Sequence, residues 1–233
     1  MKKWYILIGI IMVILAIIAG LILFVNIHDS EIIGSNSLGS VTKETYSFFT
    51  DSTNNKNKIA IVTGMHPRET LSIDVLPEVA KFYALFNDVE IVNYKVRVSD
   101  SPEKFTIGRN NGESLVHDFV VNDIAKENFG LVIIGHDHEK GYGDGFYIAT
   151  PSMDSKSVNL AEKVVKDLSD FKHYKRETNS SIKSSSIKTV DNPIVETGTP
   201  LFVYEIPEWV NFFEAFSKSY DLIDVSFKNI YQN

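Results

Sequence analysis

The heptapeptide GMHPRET at residues 64–70 puts His66, Arg68 and Glu69 within four positions, directly after the apolar run IAIVT. Glu69 follows His66 by three residues, so on a turn entering a helix both side chains point to the same side. An imidazole and a carboxylate presented together are metal donors. A catalytic zinc takes three protein ligands, in one common set two histidines and a carboxylate, and leaves the fourth position to water. A further histidine stands at another strand end, because GLVII runs into His136, Asp137 and His138. Hydrolysis also needs a carboxylate that takes the proton of the attacking water, and Glu205, near the end of LFVYE, is the candidate. Any one of these fragments is weak. Together, at the carboxyl ends of apolar runs where layered α/β sheets bind ligands, they define a candidate site.

The elements that must position these residues follow from periodicity. KIAIVT (58–63), VEIVNYKVRV (89–98), GLVIIGH (130–136), GFYIAT (145–150) and LFVYEI (201–206) read as strands. Helices are expected over 69–86, with a kink or internal start at Pro77, and over 112–127 and 157–171. In the tail, Trp209, Phe212, Phe213, Phe216, Tyr220, Ile223, Phe227 and Ile230 recur at three-and-four spacing, the core stripe of an amphipathic helix. Strands alternating with helices predict a layered α/β sheet. TNSSIKSSSIK (178–188) is polar and low in complexity, an exterior loop.

The chain has 233 residues, one globular domain with an addition at the front. Trp4 to Val25 are 22 positions without a charge, preceded by Lys2 and Lys3. At about 1.5 Å per residue such a helix crosses a bilayer core. The run exceeds the usual length of a signal-peptide apolar region, about 7–15 residues, so a retained anchor is expected. The two lysines place residues 1–3 in the cytoplasm and the rest outside. Residues 26–45 read as a polar linker and 46–233 as the exported domain. There are no cysteines, so the domain relies on its core or a metal rather than disulfides. Without Lys2 and Lys3, 21 basic residues face 30 acidic ones, which argues against nucleic acid as a partner.

GMHPRE resembles the Gly-x-His-x-Arg-Glu motif of the zinc carboxypeptidase family, including its succinylglutamate desuccinylase/aspartoacylase-like branch. The resemblance extends over about 58–210. It implies a three-layer α/β/α sandwich with a mixed central sheet and one zinc ion. His66 and Glu69 then take the first two metal positions. His136 takes the third, with His138 the alternative, although Ile134 stands where that family usually has an acidic residue. TGTPLFVYE matches the segment that carries the family's general base, which makes Glu205 the base. By the same resemblance Arg68 faces the scissile carbonyl, Arg109 and Asn110 of GRNNGE grip a substrate carboxylate, and Tyr142 or Tyr147 contacts substrate. The implied reaction is hydrolysis of an amide or peptide bond next to a free carboxylate, in a peptide or an N-acyl amino acid.

Two other readings compete. GHDH also resembles the Gly-His-x-His of dinuclear metallophosphoesterases, but that family needs an Asp-x-His, a Gly-Asp and a Gly-Asn-His upstream, and none precedes His136. A non-catalytic zinc-binding module on the same fold would have no use for Glu205. His28, His117 and His173 have no partners in sequence that suggest ligation.

Overall fold

A computed structural model describes residues 2–25, 29–48, 57–176 and 184–232. Its centre is one eight-stranded mixed sheet. The strands are β1 (Asp29–Asn36), β2 (Gly39–Tyr46), β3 (Lys58–Thr63), β4 (Glu90–Val98), β5 (Leu131–His138), β6 (Tyr147–Thr150), β7 (Lys172–Lys175) and β8 (Leu201–Pro207). They lie in the order β1-β2-β4-β3-β5-β8-β6-β7. β4, β3, β5 and β8 run parallel, β1 and β2 pair antiparallel with their neighbours, and β6 is antiparallel to β8 but parallel to the edge strand β7.

Parallel strands must be covered on both faces, and alternation along each strand supplies two cores. Ile59 and Ile61 of β3, with Leu131 and Ile133 of β5, face α2 (Thr70–Phe86), α5 (Ser155–Asp167) and α7 (Phe212–Tyr231). Ala60, Val62, Val132 and Ile134 face the opposite layer. That layer is α3 (Phe105–Leu115), a π-helical turn at Val116–Val120, α4 (Val121–Ile124), a second π-helical turn at Ile187–Asp191 and α6 (Asn192–Glu196). The expected three-layer arrangement with a mixed sheet is present. The tail stripe packs Leu222, Ile223 and Phe227 into the first core.

Several expectations are corrected. Most of the region read as linker is a hairpin, β1–β2, whose Val41 and Tyr46 are fully buried and which extends the sheet through β4. Gly and Ser residues there hid a strand whose alternation is sparse. The helix expected at 112–127 starts at Phe105 and changes to π geometry at Val116. Of the exterior loop, residues 185–188 are helical, and the Asn179-Ser180-Ser181 sequon lies outside the described residues. Pro77 sits inside α2 without ending it. The N-terminal segment forms α1 (Lys2–Val25), with side chains described at 4–18 and 20, all exposed, such as Trp4 at 75% and Ile17 at 56%. Among the described residues no helix is long and apolar enough to cross a membrane, so the expected span is not found there.

Candidate metal centre

The parallel strands β3 and β5 end side by side, and their carboxyl ends carry the cluster. After β3 the chain makes a turn closed by the Glu69 amide on the His66 carbonyl, 3.1 Å, and enters α2. That turn brings His66 Nδ1 within 2.9 Å of Glu69 Oε1. His136, near the end of β5, puts its Nδ1 2.5 Å from Glu69 Oε2. One donor atom from each of His66, Glu69 and His136 lies within 4.8 Å of the others. Among the described residues this is the group that could hold a metal ion.

Two nitrogens and one carboxylate fit zinc chemistry. Glu69 shows why a cation belongs there. Burial raises its pKa, but the charges and hydrogen bonds of His136 and His66 outweigh that and hold its carboxyl far below the usual range. His136 moves the other way: burial lowers its pKa, yet Glu69 and then Glu205 push it up to about 9. The carboxylates thus stabilise positive charge between them.

The second nitrogen of His66 adds to the fit. His66 Nε2 is buried with no hydrogen bond and faces Glu113 Oε1 at 3.6 Å. A ligating histidine commonly turns its other nitrogen to a carboxylate that orients the ring. Glu113 is 3% exposed and is fixed by Ser185 as well. It reaches His66 because α3 packs tightly on the β3–α2 turn. A Cβ on Gly112 would stand 1.7 Å from the Met65 carbonyl oxygen, so only glycine allows this approach. Asp191, 2% exposed, stands on the second π-helical turn, where burial and Glu113 push its carboxyl up to about 6 against the pull of His136. Neither carboxylate was among the sequence candidates. Gly112 within a helix-forming stretch was the available signal, since a helix glycine flags a close backbone approach.

The three polar residues that end β5 have separate tasks. His136 joins the cluster. Asp137 points to the other face and accepts from the amides of Leu71 and Ser72, at 2.7 and 2.8 Å, capping α2. Glu69, the residue at that helix start, makes no capping bond of its own, so its carboxylate is left for the histidines. His138 is held away from the cluster by the Gly145 carbonyl, 2.9 Å from its Nε2.

Glu205 lies one strand further, in register with His136. Burial pushes its carboxyl up to about 7; His136 opposes this and Glu69 adds to it. A carboxylate at that value is poised to exchange a proton near neutrality. Arg109 donates from Nη1 to Glu69 Oε1 at 3.2 Å, and its guanidinium lies 5.3 Å from the Phe105 ring centre. Arg68 is exposed, and its guanidinium lies 5.7 Å from the centre of the same ring. Asn110 is exposed, and its side chain makes no hydrogen bond among the described residues. Tyr142 is 81% exposed on a turn, whereas Tyr147 is buried beside Glu205.

No protein-family model and no curated protein matches the sequence. Solved structures do match the fold. A metallo-carboxypeptidase from Burkholderia cenocepacia superposes with TM-score 0.61 at 10% identity, over 88% of this chain and 65% of that one. Carboxypeptidase A from Helicoverpa armigera gives 0.57 at 12% identity, over 89% and 69%. The tripeptide-bound cell shape determinant protein Csd4 from Helicobacter pylori gives 0.54 at 9% identity, over 82% and 55%. The fold is therefore that of the metallo-carboxypeptidases. The chain spans about two thirds of the first of these and just over half of Csd4.

Proposed function

We propose that this chain is a zinc-dependent hydrolase of the carboxypeptidase type, cutting an amide or peptide bond next to a free carboxylate. One observation carries the reading. Two carboxylates on the same strand-end rim are driven apart, Glu69 into a cation-binding cluster and Glu205 to a value near 7.

His66, Glu69 and His136 would hold one zinc ion, which when bound polarises a carbonyl and lowers the pKa of water to about 7. Glu205 takes the proton of the attacking water and passes it to the leaving amine. The new carbon–oxygen bond replaces the carbon–nitrogen bond, and the carboxylate ends as it began. Arg109 is the cation nearest the cluster that can turn to a substrate carboxylate, with the fork geometry such recognition uses. Arg68 stands at the same rim, nearer the solvent. Asn110 and Tyr142 do not line the cluster as placed, so substrate grip is assigned to the arginines.

The tripeptide held by Csd4 supports a peptide over an N-acyl amino acid. An anchored, extracytoplasmic enzyme acting on cell-envelope peptides remains our reading of the N-terminus. Its support is the sequence alone: the uncharged run from Trp4 to Val25 behind Lys2 and Lys3. Protease accessibility of the 46–233 domain in intact and in opened cells tests it, and protection only in intact cells sinks it.

Zinc analysis and turnover of C-terminally free peptides, wild type against Glu205→Gln, test the reaction. Activity that survives the Gln variant intact removes the mechanism.

A further inference from the structure

The metal cluster stands at the carboxyl ends of the parallel strands, and the N-terminal segment joins the domain at their amino ends. Asp29, the first residue of β1, pairs with Thr45 of β2, and Thr45 pairs with Val92 of β4. The same row continues through Ala60 of β3 to Val132, the second residue of β5. His136 lies four residues further along β5, about 13 Å at roughly 3.3 Å per residue. Only residues 26–28 separate Asp29 from the uncharged run that ends at Val25. Fully extended, those four steps of chain reach about 14 Å. On the anchor reading, the amino end of the sheet is held close to the bilayer, with no linker to lift it away.

That end also carries an apolar surface the fold leaves uncovered. The outward stripe of α2 is Asp74, Glu78, Phe82 and Phe86, all exposed and four residues apart. Its aromatic half lies toward the amino ends, because only residues 87–89 separate Phe86 from the start of β4. The Phe82 ring lies 5.2 Å from that of Phe86 and 5.7 Å from that of Phe216. Phe212 extends the row, 6.2 Å from Phe216 and 5.8 Å from Phe213. Phe86 is 63% exposed and Phe213 82%. Phe82, Leu85, Phe212 and Phe216 line a groove of about 270 Å³ between α2 and α7. Contiguous exposed rings of this kind mark a surface that meets a partner or a membrane. The cations beside them are paired, Lys81 with Glu78 and Lys218 with Asp170, so the surface has no basic cluster to attract anionic lipid.

We propose that the aromatic surface around Phe82, Phe86 and Phe213 docks on the bilayer to which the chain is tethered, and that the metal rim therefore opens away from the membrane. Burial of apolar rings at the lipid interface drives the docking, and charge does not. A substrate reaches the rim from the aqueous side, free or attached to a polymer, and not as a segment embedded in lipid. The inference rests on the anchor reading of the N-terminus and is independent of the hydrolase reading.

The chain has no cysteine, so single introduced cysteines report position cleanly. Phe86→Cys, Phe213→Cys and Tyr142→Cys, each carrying a polarity-sensitive dye, would be made in the full chain. Tyr142, 81% exposed beyond the end of β5, marks the rim. The proteins would be reconstituted in phosphatidylcholine vesicles with and without brominated acyl chains, and a label that lowers the melting temperature would be moved to Phe82→Cys. The expected result is blue-shifted emission, quenched by bromine, at positions 86 and 213 but not at 142, and unchanged by high salt. Vesicle-bound protein with no quenching at 86 and 213, or with equal quenching at 142, overturns the inference and leaves the anchor reading standing. Quenching abolished by salt overturns apolar docking. A signal that follows protein density instead of lipid bromine identifies a second copy as the occupant and also overturns it. Protein that does not float with the vesicles overturns both readings.

Discussion

Glu69, on the turn after β3, and Glu205, on β8, stand on one rim of the sheet with the end of β5 between them, yet their surroundings drive them in opposite directions. Glu69 is flanked by two imidazoles and a guanidinium and stays ionised. Glu205 pairs across β6 with Tyr147, gains no direct cationic partner among the described residues, and rises to about 7. The lesson is that type alone does not set a carboxylate's task. The ionic half of the rim suits a ligand, and the aromatic half suits a base that must take up and release a proton.

Removing the ionic half has the largest expected effect. His66→Ala and His136→Ala should each take bound zinc from about one ion per chain to none, and activity with it, read by elemental analysis after dialysis. His138→Ala should keep the ion. Zinc lost from His138→Ala but retained by His136→Ala would reverse the assignment of the third ligand.

The next effect belongs to the aromatic half. Glu205→Gln should lower kcat by about 10²- to 10⁴-fold while zinc stays bound. It should also change stability with a definite sign. The folded value near 7 lies above the ordinary 4.5. The metal-free fold is thus favoured at pH below about 4.5 and loses that contribution as pH rises through 7. At pH 8 the metal-free Gln variant should be more stable than wild type, by about 1–3 kcal/mol after allowance for solvent, and at pH 4 the two should coincide in denaturant midpoints. A bound cation pulls Glu205 down, so the acid limb of the activity profile should fall between the ordinary carboxylate range and 7.

Smaller effects test the supports of the ionic half. Glu113→Gln should weaken zinc binding about 10- to 100-fold without unfolding the domain, checked by competition with a chelating dye. Asp137→Ala removes the acceptor for two α2 amides and should cost about 1–2 kcal/mol. In a domain of this size that is a drop of about 2–8 °C in melting temperature. Unchanged melting would mean that water replaces the cap.

The same division explains what the sequence revealed. His66, Glu69, His136 and Glu205 were legible because each closes an apolar run, and strand ends are where layered sheets place chemistry. The central strands were legible for the same reason. Glu113 and Asp191 were not, since their place is set by π-helical turns and by the Gly112 approach to Met65, contacts far apart in sequence. Asp137 stood without a role between two candidate histidines, and its capping of α2 depends on where that helix begins in space. Tyr142 and Tyr147 could not be separated in a glycine-rich stretch until β6 paired with β8 and buried one of them. The β1–β2 hairpin was missed because its small polar residues carry almost no alternation.

The most direct test of the divided roles is zinc titration of Glu69→Gln and Glu205→Gln side by side with wild type, in the metal-free full chain at neutral pH. The account predicts that Glu205→Gln binds one ion about as tightly as wild type, while Glu69→Gln binds at least about 10-fold more weakly. Wild-type zinc affinity in Glu69→Gln, or loss of the ion from Glu205→Gln, would contradict it.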